Sequence, residues 1–127
     1  MKTIIFLSLF LNSLFGTELN WLHNYNEALN LAKKEHKDIY LFIGADECPY
    51  CKKFKDKTLS KKNVINKNFI PLYLSRNQHK IPKEFEKYGV PRHYFLSDTG
   101  EVFDEDLGFL NSEDFLKFLK EVREYRE

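Results

Sequence analysis

The sequence has only two cysteines among its 127 residues, and this scarcity limits their possible roles. Two thiols exclude a scaffold held by several disulfides, the usual solution in small secreted domains. A structural zinc site commonly takes four cysteine or histidine ligands, but the sequence has no second Cys-x-x-Cys pair. Haem attachment needs a histidine directly after the second cysteine, where this chain has Lys52. The histidines stand singly, at His23, His36, His79 and His93.

The sequence also lacks an excess of either charge. It has 20 basic and 19 acidic side chains, which gives a formal net charge of +1. This balance gives no reason to expect a nucleic acid or a membrane surface as partner. Internal repeats and low-complexity segments are missing too, so the length predicts one domain with one core.

Long hydrophobic runs are missing except near the N-terminus, where residues 4–15 are largely apolar and follow Lys2. A membrane-spanning helix needs about 20 such residues, whereas about a dozen are typical of a signal-peptide core. We therefore predict a signal peptide at residues 1–16, cut after the small residue Gly16, and one domain at residues 17–127. An uncleaved N-terminal anchor is the alternative. No cysteine lies near the cut, which excludes lipid attachment there.

The two cysteines form the motif Cys48-Pro49-Tyr50-Cys51, which follows the apolar run at residues 39–43. Two thiols at this spacing can close a small disulfide and open it again. A helix N-terminus after the strand would stabilise the thiolate, which is the nucleophile of thiol–disulfide exchange. The motif therefore predicts a redox dithiol. A structural disulfide and half of a soft-metal site, for copper or zinc, remain alternatives.

Hydrophobic periodicity predicts alternating helices and strands after residue 20. Helices are predicted at residues 24–36, 49–57, 60–66, 83–88 and from Asn111 or Ser112 onward, and strands at 39–43, 69–74, 91–96 and 101–109. The order implies a parallel strand pair followed by a hairpin. We expect an α/β fold, with a central mixed sheet of four or five strands and helices on both faces. The last helix should bury Phe115, Leu116, Leu119 and Val122.

The chain resembles the thioredoxin superfamily over nearly all of residues 17–127. The resemblance depends on the strand before the Cys-x-x-Cys motif, on Gly89-Val90-Pro91 before the third strand, on the turn around Gly100, and on Gly108 before the last helix. The helix at residues 24–36 is similar to that of exported thioredoxin-like proteins of the bacterial envelope. The resemblance therefore implies a thioredoxin-like fold and a periplasmic location.

The resemblance also implies roles for individual residues. Cys48 corresponds to the exposed attacking thiol and Cys51 to the buried resolving thiol. Pro91 corresponds to a proline that follows a cis peptide bond and faces the disulfide, and the Val90 backbone to the group that pairs with substrate. Tyr50, with Pro49 beside it, is expected at the client-facing start of the helix. The implied activity is protein thiol–disulfide oxidoreduction without a bound cofactor.

Two positions differ from thioredoxins proper. Glu47 replaces the tryptophan before the first cysteine, and Phe42 replaces a buried aspartate that assists proton transfer from the resolving thiol. The dipeptide between the cysteines is that of glutaredoxins, although the leader and the first helix are not. His93, close to the proline, is expected on the strand surface or near Cys48.

The charges near the motif predict the direction of exchange. A helix start and three lysines at positions 52, 53 and 55 favour a thiolate at Cys48, whereas Asp46 and Glu47 oppose it. A moderately stabilised thiolate favours a reductant or neutral exchanger over a strong oxidant. The expected partners are client proteins with disulfides or thiols and a redox partner, membrane-bound or soluble. We expect a monomer without stable membrane insertion. A client-docking protein without catalysis is the remaining alternative.

Overall fold

The computed structural model describes residues 20–61 and 64–126 of the chain. The predicted signal peptide at residues 1–16 lies outside the described residues. Within the described ranges, no helix is both long enough and apolar enough to cross a membrane.

Four strands and four α-helices make up the described fold. The helices are α1 (Tyr25–Glu35), α2 (Pro49–Lys53), α3 (Val64–Asn68) and α4 (Ser112–Arg126), and the strands are β1 (Asp38–Gly44), β2 (Phe69–Ser75), β3 (Arg92–Leu96) and β4 (Val102–Leu107). Helix α2 continues through a π-helical stretch at Phe54–Thr58 into a 3-10 turn at Leu59–Lys61.

The strands form one mixed sheet in the order β2-β1-β3-β4. β1 pairs in parallel with β2 and antiparallel with β3, and β3 and β4 form the hairpin. Leu22 adds a single parallel bridge to Leu72 at the outer edge of β2. The predicted fold class is confirmed, and the described sheet has four strands.

Helices cover the sheet on both faces, each over its own apolar cluster. On one face, α1 buries Ala28 and Ala32 against the sheet. On the other, α2 and its continuation pack with α4 over β1 and β3, and this cluster contains Cys51 and Phe54. Strand β1 lies between the two clusters and is fully buried from residue 39 to residue 43. This explains its unbroken apolar sequence, because a strand covered on both faces has no polar side.

Capping interactions define both ends of α1. The Asn24 side chain accepts a hydrogen bond from the Glu27 backbone N–H at 2.9 Å, which satisfies one free donor of the first turn. At the other end, His36 takes a left-handed conformation with φ of 55°, and its N–H bonds to the Ala32 carbonyl. The helix therefore ends at a defined residue, and β1, which leads to the cysteine motif, begins two residues after His36.

The predicted helix at residues 83–88 was too long. Only Lys83–Phe85 forms a helical turn, of the 3-10 type. Arg76 donates hydrogen bonds to the carbonyls of Lys87 and Gly89, and Arg92 donates to that of Tyr88. These three carbonyls are bound by side chains that reach in from β2 and β3, so the segment is held as a loop.

The predicted apolar stripe of α4 was wrong at one position. Phe115, Leu119 and Val122 are buried as expected, but the side chain of Leu116 is 38% exposed. Phe118 packs against the cluster instead, with its ring 5.2 Å from that of Phe95. The buried face of α4 therefore includes Phe118, which packs on Phe95 of β3, and leaves Leu116 at its border.

Candidate active site

Cys48 and Cys51 form a disulfide at the junction between β1 and α2, with their Cα atoms 5.2 Å apart. Cys48 is the N-cap of α2, and its sulfur accepts a hydrogen bond from the Cys51 backbone N–H at 3.1 Å. Cys48 is half-buried, whereas Cys51 is 1% exposed. An external thiol or disulfide can therefore reach the first sulfur but not the second.

Pro49 and Tyr50 lie on the solvent side of the disulfide. Pro49 occupies the first helical position, where its missing N–H leaves no bond unmade. Tyr50 follows with 62% of its surface exposed. Both residues are therefore accessible to a protein that approaches Cys48.

The Val90–Pro91 peptide bond is cis, as the resemblance implies. Pro91 is buried, and its carbonyl accepts a hydrogen bond from the Gly108 N–H at 2.8 Å. Val90 is half-buried and packs against the cluster that contains Cys51. Val90 also packs against the cluster on the other face of the sheet, so the segment before β3 contacts both parts of the core.

His93 is buried in the core, so the prediction of a histidine on the strand surface was wrong. The Tyr40 hydroxyl donates a hydrogen bond to His93 Nδ1 at 2.6 Å, and His93 Nε2 donates to the Gly108 carbonyl at 2.9 Å. The ring contacts Phe54, with centroids 4.7 Å apart. Burial lowers the pKa of His93 to about 4, so the imidazole is neutral at neutral pH. The Gly108 N–H in turn donates to the Pro91 carbonyl. By its bond to Gly108, His93 therefore stabilises the segment around the cis bond.

A cleft of about 600 Å³ lies on one side of the disulfide, and both cysteines are among its lining residues. Its lining comes from the start of the described chain, from the β1–α2 junction and from the end of β2. The lining residues are His23, Ala45, Asp46, Cys48, Cys51, Lys52, Lys55, Tyr73, Gln78 and His79.

The imidazoles of His23 and His79 stack in this cleft, with ring centroids 4.7 Å apart. His23 donates from Nδ1 to the Tyr73 carbonyl at 3.0 Å, and His79 accepts at Nδ1 from the Ser75 N–H at 2.8 Å. Burial lowers the pKa of His79, and His23 lowers it further, against the opposing effect of Asp46. His79 therefore adds little positive charge to this wall of the cleft.

The ammonium groups of the three lysines after the motif have partners other than Cys48, although Lys52 and Lys55 line the same cleft as Cys48. Lys52 forms an ion pair with Asp56 at 2.9 Å. The Lys53 ammonium lies 4.7 Å from the centre of the Phe109 ring, and that of Lys55 lies 3.9 Å from the Tyr73 ring. Asp46 is held by the Gln78 side chain at 2.7 Å and remains in the cleft with Cys48.

Within residues 20–61 and 64–126, no group of three or more His, Cys, Asp or Glu side chains is placed to hold a metal ion. The dithiol therefore has no additional protein ligands arranged around it in this part of the chain.

The sequence analysis missed two residues near the disulfide, Tyr73 in the cleft and Gly44 beside the Cys51 sulfur. Tyr73 stands opposite Phe42 in the parallel pair of β1 and β2, and the centroids of the two rings lie 5.0 Å apart. The β–α–β pattern predicted the pairing of these strands but not their register. Without the register, one tyrosine in an apolar strand gives no signal of a role.

Comparisons with known proteins agree with this geometry. Residues 25–123 match the family model described as a thioredoxin-like domain. An uncharacterized protein of Archaeoglobus fulgidus is 32% identical over 87 residues, which cover 65% of this chain and 68% of the relative. A thioredoxin from Thermus thermophilus superposes with a TM-score of 0.68 at 25% identity, covering 82% of this chain and 86% of that one.

A second solved structure shares the fold at lower sequence identity. The oxidised DsbD C-terminal domain of Neisseria meningitidis superposes with a TM-score of 0.61 at 24% identity. The match covers 76% of this chain and 90% of that domain.

Proposed function

The chain belongs to the thioredoxin-like domain family of the thioredoxin superfamily, and on that premise we propose that it exchanges disulfides with client proteins through Cys48 and Cys51. The observation that carries the proposal is the disulfide between a half-buried and a fully buried cysteine at a strand–helix junction. A structural disulfide that closes so small a loop would restrict the unfolded chain little.

The unequal exposure of the two sulfurs supports different roles for them. In the reduced protein, the Cys48 thiolate attacks a client disulfide, and the displaced client sulfur leaves as a thiolate that takes up a proton. The Cys51 sulfur then loses its proton and attacks the Cys48 sulfur. The Cys48–Cys51 bond forms, and the second client sulfur leaves with its electron pair. The client is reduced and the protein is oxidised. The reverse sequence oxidises a client dithiol.

Residues beside the disulfide provide the proposed docking site. The Val90 backbone would pair with an extended client segment next to the cis bond, while Pro91 closes the floor of the site. Tyr50 offers an exposed aromatic ring and Pro49 a rigid apolar contact beside Cys48. No cofactor takes part in this exchange.

The charge distribution supports a reductant or neutral exchanger. The ammonium groups of Lys52, Lys53 and Lys55 are directed toward Asp56 and toward aromatic rings. Asp46 lies in the same cleft as Cys48 and opposes there the positive charges of Lys52 and Lys55. A weakly stabilised thiolate stabilises the reduced form only slightly, so strong oxidising power is not expected.

We also propose that residues 1–16 direct export to the periplasm, where the domain works as a monomer with a separate redox partner. The support is the short apolar N-terminal run after Lys2. In that compartment, disulfides are common enough to serve as substrates.

Reduction of insulin disulfides by dithiothreitol tests the proposed activity. The protein at a few mole per cent of insulin should shorten the lag before insulin precipitates. A Cys48→Ser/Cys51→Ser variant is the matched control and should leave the reaction at the rate with dithiothreitol alone. Equal rates for the two proteins would contradict catalysed exchange.

A further inference from the structure

The mechanism requires a negative charge on a sulfur that water does not reach. Cys51 is 1% exposed and packs in the cluster that contains Phe42 and Phe54. Apolar surroundings disfavour a thiolate. Nevertheless, Cys51 must leave as a thiolate when its disulfide is opened and must be deprotonated when it attacks. Of the two β1 side chains in this cluster, Phe42 has no group that can donate or accept a proton, and the Tyr40 hydroxyl is already bonded to His93.

Gly44, the last residue of β1, leaves a gap beside the Cys51 sulfur. A Cβ atom built on Gly44 would lie 3.4 Å from the sulfur and 3.0 Å from the hydroxyl oxygen of Tyr73. The sulfur and the hydroxyl therefore border the same position, which a Gly44 side chain would occupy and against which the Tyr73 ring packs tightly. Cys51 and Tyr73 also line the cleft beside the disulfide.

Contacts on several sides hold the Tyr73 ring at this gap. Its centroid lies 5.0 Å from that of Phe42 and 6.0 Å from each of the His23 and His79 rings. The Lys55 ammonium lies 3.9 Å from the ring centre, a distance at which a cation is attracted to the aromatic face. A phenol fixed in this way can present its O–H group without reorganisation at the moment of reaction.

We propose that the Tyr73 hydroxyl is a catalytic group that donates a hydrogen bond to the Cys51 sulfur, directly or through one water molecule. The proposal rests on the proposed exchange activity and deepens it. When an incoming thiolate attacks Cys48, the S–S bond breaks and Cys51 takes the electron pair, and the Tyr73 O–H stabilises that thiolate. In the reverse step, the Cys51 proton leaves through the hydroxyl toward the cleft as Cys51 attacks the mixed disulfide.

Tyr73→Phe tests this role because it removes the oxygen and keeps the ring with its contacts. The titration of Cys51 is followed in a Cys48→Ser background through the ¹³Cβ chemical shift of the single cysteine. A hydrogen bond to a charged group accounts for about a tenfold change in an equilibrium, so the titration midpoint should rise by about one pH unit. Tyr125→Phe, which removes an exposed hydroxyl on α4, should leave the midpoint unchanged.

Gly44→Ala provides a second, independent test. The added methyl group would lie 3.0 Å from the hydroxyl oxygen and 3.4 Å from the sulfur, so the Tyr73 ring must shift, and the midpoint should rise in the same direction. Combined with Tyr73→Phe, Gly44→Ala should raise the midpoint little further, since both changes interrupt the same interaction. The proposal is overturned if Cys51 titrates at the same pH with and without the Tyr73 hydroxyl, or titrates in neither protein below about pH 11.

This titration requires neither a client nor turnover. If the protein failed to reduce insulin but the midpoint shifted, the exchange activity would be wrong and the Tyr73 contact correct. If insulin were reduced and the midpoint stayed constant, the activity would stand and the role of Tyr73 would fall.

Discussion

A Cys51→Ser variant should accumulate a mixed disulfide with a client, whereas a Cys48→Ser variant should accumulate almost none. Cys48 is half-buried and can attack, and without Cys51 the covalent intermediate has no internal thiol to release it. In the Cys48→Ser variant, the remaining sulfur is 1% exposed and does not meet a protein disulfide. The effect should be close to all or none.

The measurement uses insulin as a defined client. Each reduced variant is mixed with insulin, free thiols are blocked, and the products are separated on non-reducing gels and identified by mass. A band at the mass of the protein plus insulin is expected only for Cys51→Ser. Equal yields from the two variants, or none from either, would remove the assignment of attacking and resolving thiols.

The stability of the fold should fall in acid because of His93. Burial lowers its pKa in the folded state to about 4, below the value of about 6.5 in an unfolded chain. The unfolded chain therefore takes up a proton first as the pH falls. The stability that depends on neutral His93 is fully present above about pH 6.5 and is lost progressively as the pH falls through about 4. The loss amounts to about 3 kcal/mol of unfolding free energy.

Urea unfolding at a series of pH values from 7 to 4 measures this loss. In a Tyr40→Phe/His93→Phe variant both partners of the buried hydrogen bond become apolar, and most of the acid-dependent loss in this window should disappear. His93→Phe alone should be less stable than this pair, since it leaves the buried Tyr40 hydroxyl without its acceptor.

The exposed His36 supplies the control for the acid experiment. His36→Asn suits the left-handed conformation at the end of α1 and should keep the full pH dependence of the parent protein. A pH dependence that is the same in the parent and in the Tyr40→Phe/His93→Phe variant would show that His93 is not its source.

The sequence predicted the fold correctly where a hydrophobic pattern was compatible with only one kind of element. The apolar stretch at residues 39–43 has no polar side, so it fits only a strand covered on both faces, as observed for β1. A proline after Val90 could be placed as cis from the resemblance, and the structure has that bond. Cys48 and Cys51 stood out because the sequence has no other cysteines.

The remaining features depend on packing that a single sequence does not reveal. His93 looks polar, yet its position in β3 turns it toward the α2 and α4 side, where Tyr40 and Gly108 satisfy both ring nitrogens. Tyr73 became part of the site through the register of β2 against β1. Pairing partners of this kind lie far apart in sequence, and periodicity specifies which face a side chain occupies but not what it meets there.

The reduction potential of the Cys48–Cys51 pair tests the central claim of a reversible redox dithiol most directly. The protein is equilibrated in a series of glutathione buffers and the fraction oxidised is determined by mass after thiol trapping. We predict a complete two-electron transition with a midpoint between about −270 and −180 mV, the range of reductants and neutral exchangers. A disulfide that stays closed in every buffer, with a potential below about −300 mV, would be a structural bridge and would contradict the account.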